Sequence, residues 1–128
     1  MYGFSKTIPA GDITAAIEKV TTALKTEGFG VLTDIDVAAT LKAKIGADTR
    51  PYHILGACNP TLAHQAMTAD PDIGLLLPCN VVVREEANGE LTVAFMDPIA
   101  VLSLVEIEGI GALASEVKGR LERVRDLL

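Results

Sequence analysis

Residues 79–96 read CNVVVREEANGELTVAFM. Two stretches rich in β-branched and aromatic residues flank Asn88-Gly89, a dipeptide that readily supplies the positive φ angles of a tight hairpin turn. The run ending at Glu86 and the segment Glu90–Met96 are therefore expected to pair as antiparallel neighbours. The rest of the chain mixes helix and strand patterns. A clear hairpin among them favours an α+β domain, with a mainly antiparallel sheet packed by helices, over a parallel α/β sheet.

Upstream of the hairpin, Gly74–Val83 is apolar at nearly every position, which predicts a strand buried on both faces. Pro78 interrupts it, and proline cannot donate to a ladder. The strand is expected to begin near Cys79 or to bulge there, leaving Cys79 and Asn80 at an irregularity where side chains are re-aimed. Further upstream, Arg50-Pro51 leads into a strand Tyr52–Cys58. Asn59-Pro60 then starts a helix, with Asn as cap and Pro at the first helical position. That helix carries Leu62, Ala66 and Met67 and ends near Asp70-Pro71.

The N-terminal part follows the same logic. Tyr2–Ile8 suits a strand, and Asp12 caps a helix with Ile13, Ile17, Val20 and Leu24 on one face. Gly28 ends that helix. Phe29–Ile35 is a second strand. Asp36 caps a shorter helix with Val37, Leu41 and Ile45 on one side, stopped by Gly46. Beyond the hairpin, Asp97-Pro98 opens a short apolar helix to about Val105. After Gly109 a last helix places Leu113, Val117, Leu121, Val124 and Leu128 on one stripe. Its other face carries Glu116, Lys118, Arg120, Glu122, Arg123 and Arg125. No Pro/Gly/Ser-rich linker divides the chain, so residues 1–128 read as one domain.

Composition excludes several functions. The chain is 49% hydrophobic and 22% charged, enough apolar material for a core and too much for intrinsic disorder. Its formal net charge of −6 disfavours nucleic acid and anionic membrane surfaces as partners. With no Trp and 4% aromatic residues, stacking platforms are thin. No apolar run is long enough to span a bilayer. Met1–Lys6 shows no charged leader before an apolar stretch, so a cytoplasmic location is expected. Two cysteines cannot make a disulfide scaffold, and two reduced thiols are the simpler reading.

The candidate chemistry lies in two Cys-Asn pairs, Cys58-Asn59 and Cys79-Asn80. Cys58 between a strand and a helix start resembles a nucleophile elbow. Pro60 removes an N–H that an oxyanion hole would use. His53 falls on the opposite face of the strand from Cys58, and His64 is a loose candidate base. A metal or redox reading of Cys58 and Cys79 finds no CxxC, and a closed zinc site would need His53, His64 or Asp97 to join. In a third reading the two Cys-Asn segments bound a pocket for a small ligand, with Asp97 and His53 as further candidates and no cofactor or metal expected. Against all three stands plain burial: free cysteines behave as small hydrophobes, and Asn59 is explained as a helix cap.

The segments Arg50–Pro60 and Gly74–Val83, with Gly28–Leu32, Asp34–Val37 and Asp97-Pro98, resemble the domain of unknown function 302 family almost end to end. That resemblance implies an α+β domain similar to the TATA-binding-protein-like fold, and a homodimer. It implies no activity, and therefore carries over no catalytic residue. A structural role in homodimerisation and a thiol- or metal-dependent enzyme stand as alternatives to a ligand-binding domain.

Overall fold

Four of the five helices begin at an Asp or Asn whose side-chain oxygen accepts a hydrogen bond from a first-turn backbone N–H. These are α1 (Ile13–Thr26, capped by Asp12), α2 (Val37–Ile45, Asp36), α3 (Pro60–Ala69, Asn59) and α4 (Pro98–Leu102, Asp97). Each cap satisfies a donor that the helix itself cannot. The fifth, α5 (Ile110–Asp126), starts at Gly109 without a side-chain cap. A computed structural model describes residues 1–128. The strands are β1 (Gly3–Ile8), β2 (Gly30–Asp36), β3 (Tyr52–Cys58), β4 (Cys79–Glu85) and β5 (Leu91–Met96).

The five strands form one sheet in the order β1-β5-β4-β3-β2, antiparallel throughout. The architecture is α+β. The hairpin forms as expected, with Glu85 opposite Leu91, Val81 opposite Phe95 and Gly89 at a φ of 87°. Strand alternation sends Leu55, Ala57, Val81, Val83, Leu91, Val93 and Phe95 to one face, where all are buried. They form one cluster with Val20 and Leu24 of α1 and with Val117, Leu121 and Val124 of α5. The opposite face carries Ser5, Ala94, Val82, Ile54 and Ile35 in a single row, none of them fully buried.

A second, smaller cluster lies beyond the end of the sheet. It joins Ala66 of α3, Ile73, Leu102 of α4, and Ile110 and Ala114 of α5. α5 is long enough to serve both clusters with one stripe. No helix is long and apolar enough to cross a membrane.

Several expectations change on contact with the tertiary structure. Gly74–Val83 is not a strand buried on both faces. Pro71–Leu76 forms a 3₁₀ turn, the Leu77-Pro78 peptide is cis, and the strand starts at Cys79. Leu75 is left 86% exposed because it lies on that surface turn, and Asn80 and Val82 face away from the core. Of the two alternatives expected near Cys79, a strand start and a bulge, the strand start holds; a register shift falls in β2, between Val31 and Thr33, where it turns Leu32 outward. In α2 the expected apolar side is not buried, and Ile45 is 72% exposed, because the helix follows an edge strand directly. Met67 of α3 is also exposed, and α4 stops at Leu102, short of Val105. In α5 the buried stripe runs through Ile110 and Ala114, while Leu113 is only partly covered.

Candidate functional site

The three central strands end level with one another at one end of the sheet. Ala57 pairs with Cys79, and Val81 pairs with Phe95. Cys58, the last residue of β3, Cys79, the first of β4, and Met96, the last of β5, are thereby brought to the same end. All three line a cavity of about 260 Å³. Its walls come from α3 (Leu62, Ala63, Ala66, Met67), α5 (Leu113, Val117), Phe29, Leu32, Leu77, Pro78, Pro98 and Leu102. Phe29, Ala57, Cys79 and Val117 belong to the larger core cluster, Ala66 and Leu102 to the smaller. The cavity is thus the gap between the two clusters. Leu32 and Met67 line it and are exposed, which marks its mouth.

Fourteen of the eighteen lining residues are apolar, and none is Asp, Glu, His, Lys or Arg. The polar side chains are those of Cys58, Asn59 and Cys79. Burial, and secondarily the neighbouring Cys58, push the Cys79 thiol up to about 11. It is therefore a neutral thiol at physiological pH. Asn59 Oδ1 accepts from the Leu62 N–H at 3.1 Å, which fixes the start of α3 at the cavity rim. Asn59 also packs against Gly28, where φ is +84° and an added Cβ would lie 2.8 Å from Asn59 Nδ2. Arg120 donates to the Glu27 carbonyl at 3.0 Å and Arg123 pairs with the Glu27 carboxylate at 2.8 Å. These contacts tie the end of α1 to α5 behind the cavity.

Of the residues singled out by sequence, the structure brings Cys58, Asn59 and Cys79 together around the cavity. Asn80 is exposed, on the other face of β4, because successive strand residues alternate. His53 stands at the far end of β3. Its Nδ1 lies 2.6 Å from Asp34 Oδ1 and its Nε2 3.9 Å from Asp36 Oδ2. Asp97 caps α4 through Ile99 N–H and Ala100 N–H and pairs with Lys118 Nζ at 2.9 Å. Its neighbours Met96 and Pro98 line the cavity, and its own side chain does not. His64 is exposed on α3 and also lies outside the lining. No group of three or more His, Cys, Asp or Glu side chains converges anywhere. Sequence reasoning missed Met96, Leu113 and Val117 as lining residues. Their only signal was position, one at a strand end and two on the stripe of the last helix.

Two outcomes are expected from this geometry. Burial opposes the charge on Asp97, but Lys118 and the two backbone N–H groups outweigh it and hold the carboxyl below the usual carboxylate range. A carboxylate lowered in the folded state contributes stability that is full above its ordinary pKa and lost as pH falls through the lowered one. Urea unfolding should therefore find Asp97→Asn less stable than wild type at pH 7, with the gap closing at strongly acidic pH; an unchanged gap there contradicts the assignment. For the thiols, a colourless-to-coloured aromatic disulfide reagent at pH 7 should modify at most one cysteine in the native protein. Cys79→Ser should leave that rate unchanged, and rapid modification of both thiols would contradict the burial of Cys79.

Comparison with known proteins relates the chain to a family model and to solved structures. The sequence fits the family model described as "Domain of unknown function DUF302" over residues 4–128. The fold is similar to the crystal structure of the uncharacterised conserved protein DUF302 from Bacillus stearothermophilus. The TM-score is 0.89 at 29% identity, over 99% of this chain and 98% of that one. No curated protein matches the chain.

Proposed function

The chain belongs to the DUF302 family, for which no specific function is assigned, and we propose that it is a non-catalytic binding protein whose cavity takes a small apolar ligand. The observation that carries this is the lining itself: apolar at fourteen of eighteen positions, open at Leu32 and Met67, and bounded by Cys58, Asn59 and Cys79. Concave apolar sites with few polar groups bind through surface burial, and the polar groups orient the ligand. A ligand with an aliphatic or aromatic body and at most one hydrogen-bonding group fits this composition. A thiol nucleophile is the weaker alternative, because no side chain in the lining could take the proton of Cys58.

The chain lacks Trp, so indole serves as a fluorescent probe against a dark background. Indole emission should shift saturably on binding wild-type protein. Ala63→Phe, which fills the cavity from α3, should weaken that binding about tenfold or more. Equal binding by both proteins would overturn the site.

This reading places the protein in the cytoplasm, with its net charge of −6 keeping nucleic acid and anionic membranes from being partners. It also takes the protein as a homodimer. The support is the outer sheet face, where Ile35, Ile54, Val82 and Ala94 remain at least partly exposed and the one charged residue of the face, Arg84, is paired with Glu86. Two acidic chains can meet there without like charges opposing. Sedimentation at micromolar concentration should give twice the chain mass, and a monomer would remove the dimer from the proposal.

A further inference from the structure

A second cavity, of about 380 Å³, lies at the other end of the sheet, where Tyr52 begins β3 and β4 ends at Glu85. Val37 and Leu41 of α2, one helical turn apart, and Pro51 form its apolar side. Arg50, Tyr52, Arg84 and Glu86 form its polar side. Register and charge draw these four together. Tyr52 pairs directly with Arg84, and Arg84 with Thr92, so all three side chains leave the same face of the sheet. Arg84 Nη1 donates to Glu86 Oε1, which also accepts from the Thr92 hydroxyl at 2.7 Å. The Thr92 hydrogen bond and the charges of Arg84 and Arg50 hold the Glu86 carboxyl below the usual carboxylate range, against the opposing effect of burial. Glu86 is therefore ionised at neutral pH, with two guanidiniums near it. Glu85 also lines the cavity, but alternation turns its side chain to the core face, away from Arg84.

We propose that this cavity binds a small carboxylate with a short aliphatic tail, its oxygens on Arg50 and Arg84 and its tail on Val37, Leu41 and Pro51. The inventory of donors decides the ligand. Arg50 has no carboxylate within ion-pair distance, Arg84 spends one nitrogen on Glu86, and the Tyr52 hydroxyl has no protein partner. Unused donors outnumber the one acceptor group on that side, Glu86, so the missing partner is an acceptor. Planar guanidiniums match the two oxygens of a carboxylate. Charge balance matches a monoanion: with it bound, two guanidiniums face two carboxylates. The half-buried side chains of Val37 and Leu41 give an aliphatic tail a surface to cover. Glu86 has two effects here, since it holds Arg84 at the cavity and also competes for it. The inference goes beyond the apolar-ligand reading, because the two cavities stand at opposite ends of the sheet and share no residue.

The test is a methyl NMR titration with butanoate at constant ionic strength. Wild type should show saturable shifts at Val37 and Leu41, with Val20 and Leu24 of the closed core unmoved as a check on the fold. Butan-1-ol, which has the same tail and no charge, should give no saturable shift there. Arg50→Gln should weaken butanoate binding about tenfold or more. Glu86→Gln removes the competitor for Arg84 and should tighten binding severalfold, whereas a merely structural Glu86 would make the same substitution weaken it. No saturable shift with butanoate overturns the proposal. So does equal binding of butan-1-ol, equal binding of inorganic phosphate, unaltered binding by Arg50→Gln, or unchanged or weaker binding by Glu86→Gln. Arg50→Gln should bind indole as wild type does, so failure of this site is distinguishable from failure of the apolar one.

Discussion

The alternating residues of β3, β4 and β5 drive Leu55, Val81, Val83, Val93 and Phe95 into one face of the sheet, and water must be kept off all of them. Each such side chain contributes about 1.5–3 kcal/mol when fully buried. That area is larger than one helix can cover, so α1 and α5 lie on it together, joined by Val20, Leu24, Leu121 and Val124. Edge strands then follow from chain connectivity: β1 pairs with β5 and β2 with β3. The constraint also explains why the outer face is only half-covered, since its small and β-branched side chains have no second layer to meet.

The cavity is a consequence of the same packing. α5 has 17 residues, which at 1.5 Å per residue is about 25 Å. Its first turns overhang the end of the sheet, where Ile110 and Ala114 find Ala66, Ile73 and Leu102 instead of strands. Helices and a 3₁₀ turn cannot interdigitate with strand ends as closely as with a strand face. The space left between the two clusters is lined by the strand-end residues Cys58, Cys79 and Met96. Its character follows from what surrounds it: no ionisable group except thiols, and one of those held neutral by burial. Such a space favours apolar matter over any chemistry that needs a solvated base.

Much of this was legible in the sequence because the signals were local. Asn59-Pro60 and Asp97-Pro98 carry cap and first helical residue side by side, and Asn88-Gly89 carries a whole turn. Pro78 alone set the start of β4. What could not be read depends on neighbours distant in sequence. Leu75 and Ile45 look like core residues, and only the tertiary structure shows that nothing covers them. The pairing of His53 with Asp34 depends on the register of β2, which shifts between Val31 and Thr33 without a local cue. The grouping of Cys58 with Cys79 was suggested by two like dipeptides, but Asn80 shows the limit of that reasoning. One residue along a strand is the other side of the sheet.

The central claim is that the space between the two clusters is an accessible apolar site. Methyl NMR of the protein under dissolved xenon tests it most directly, because xenon enters apolar cavities without needing a polar partner. The expected result is saturable shifts at the methyl groups of Leu62, Leu102, Leu113 and Val117, with Val20 of the closed core and Val82 of the outer face unmoved. Shifts centred on Val82 and Ile54, or none that saturate, would contradict it.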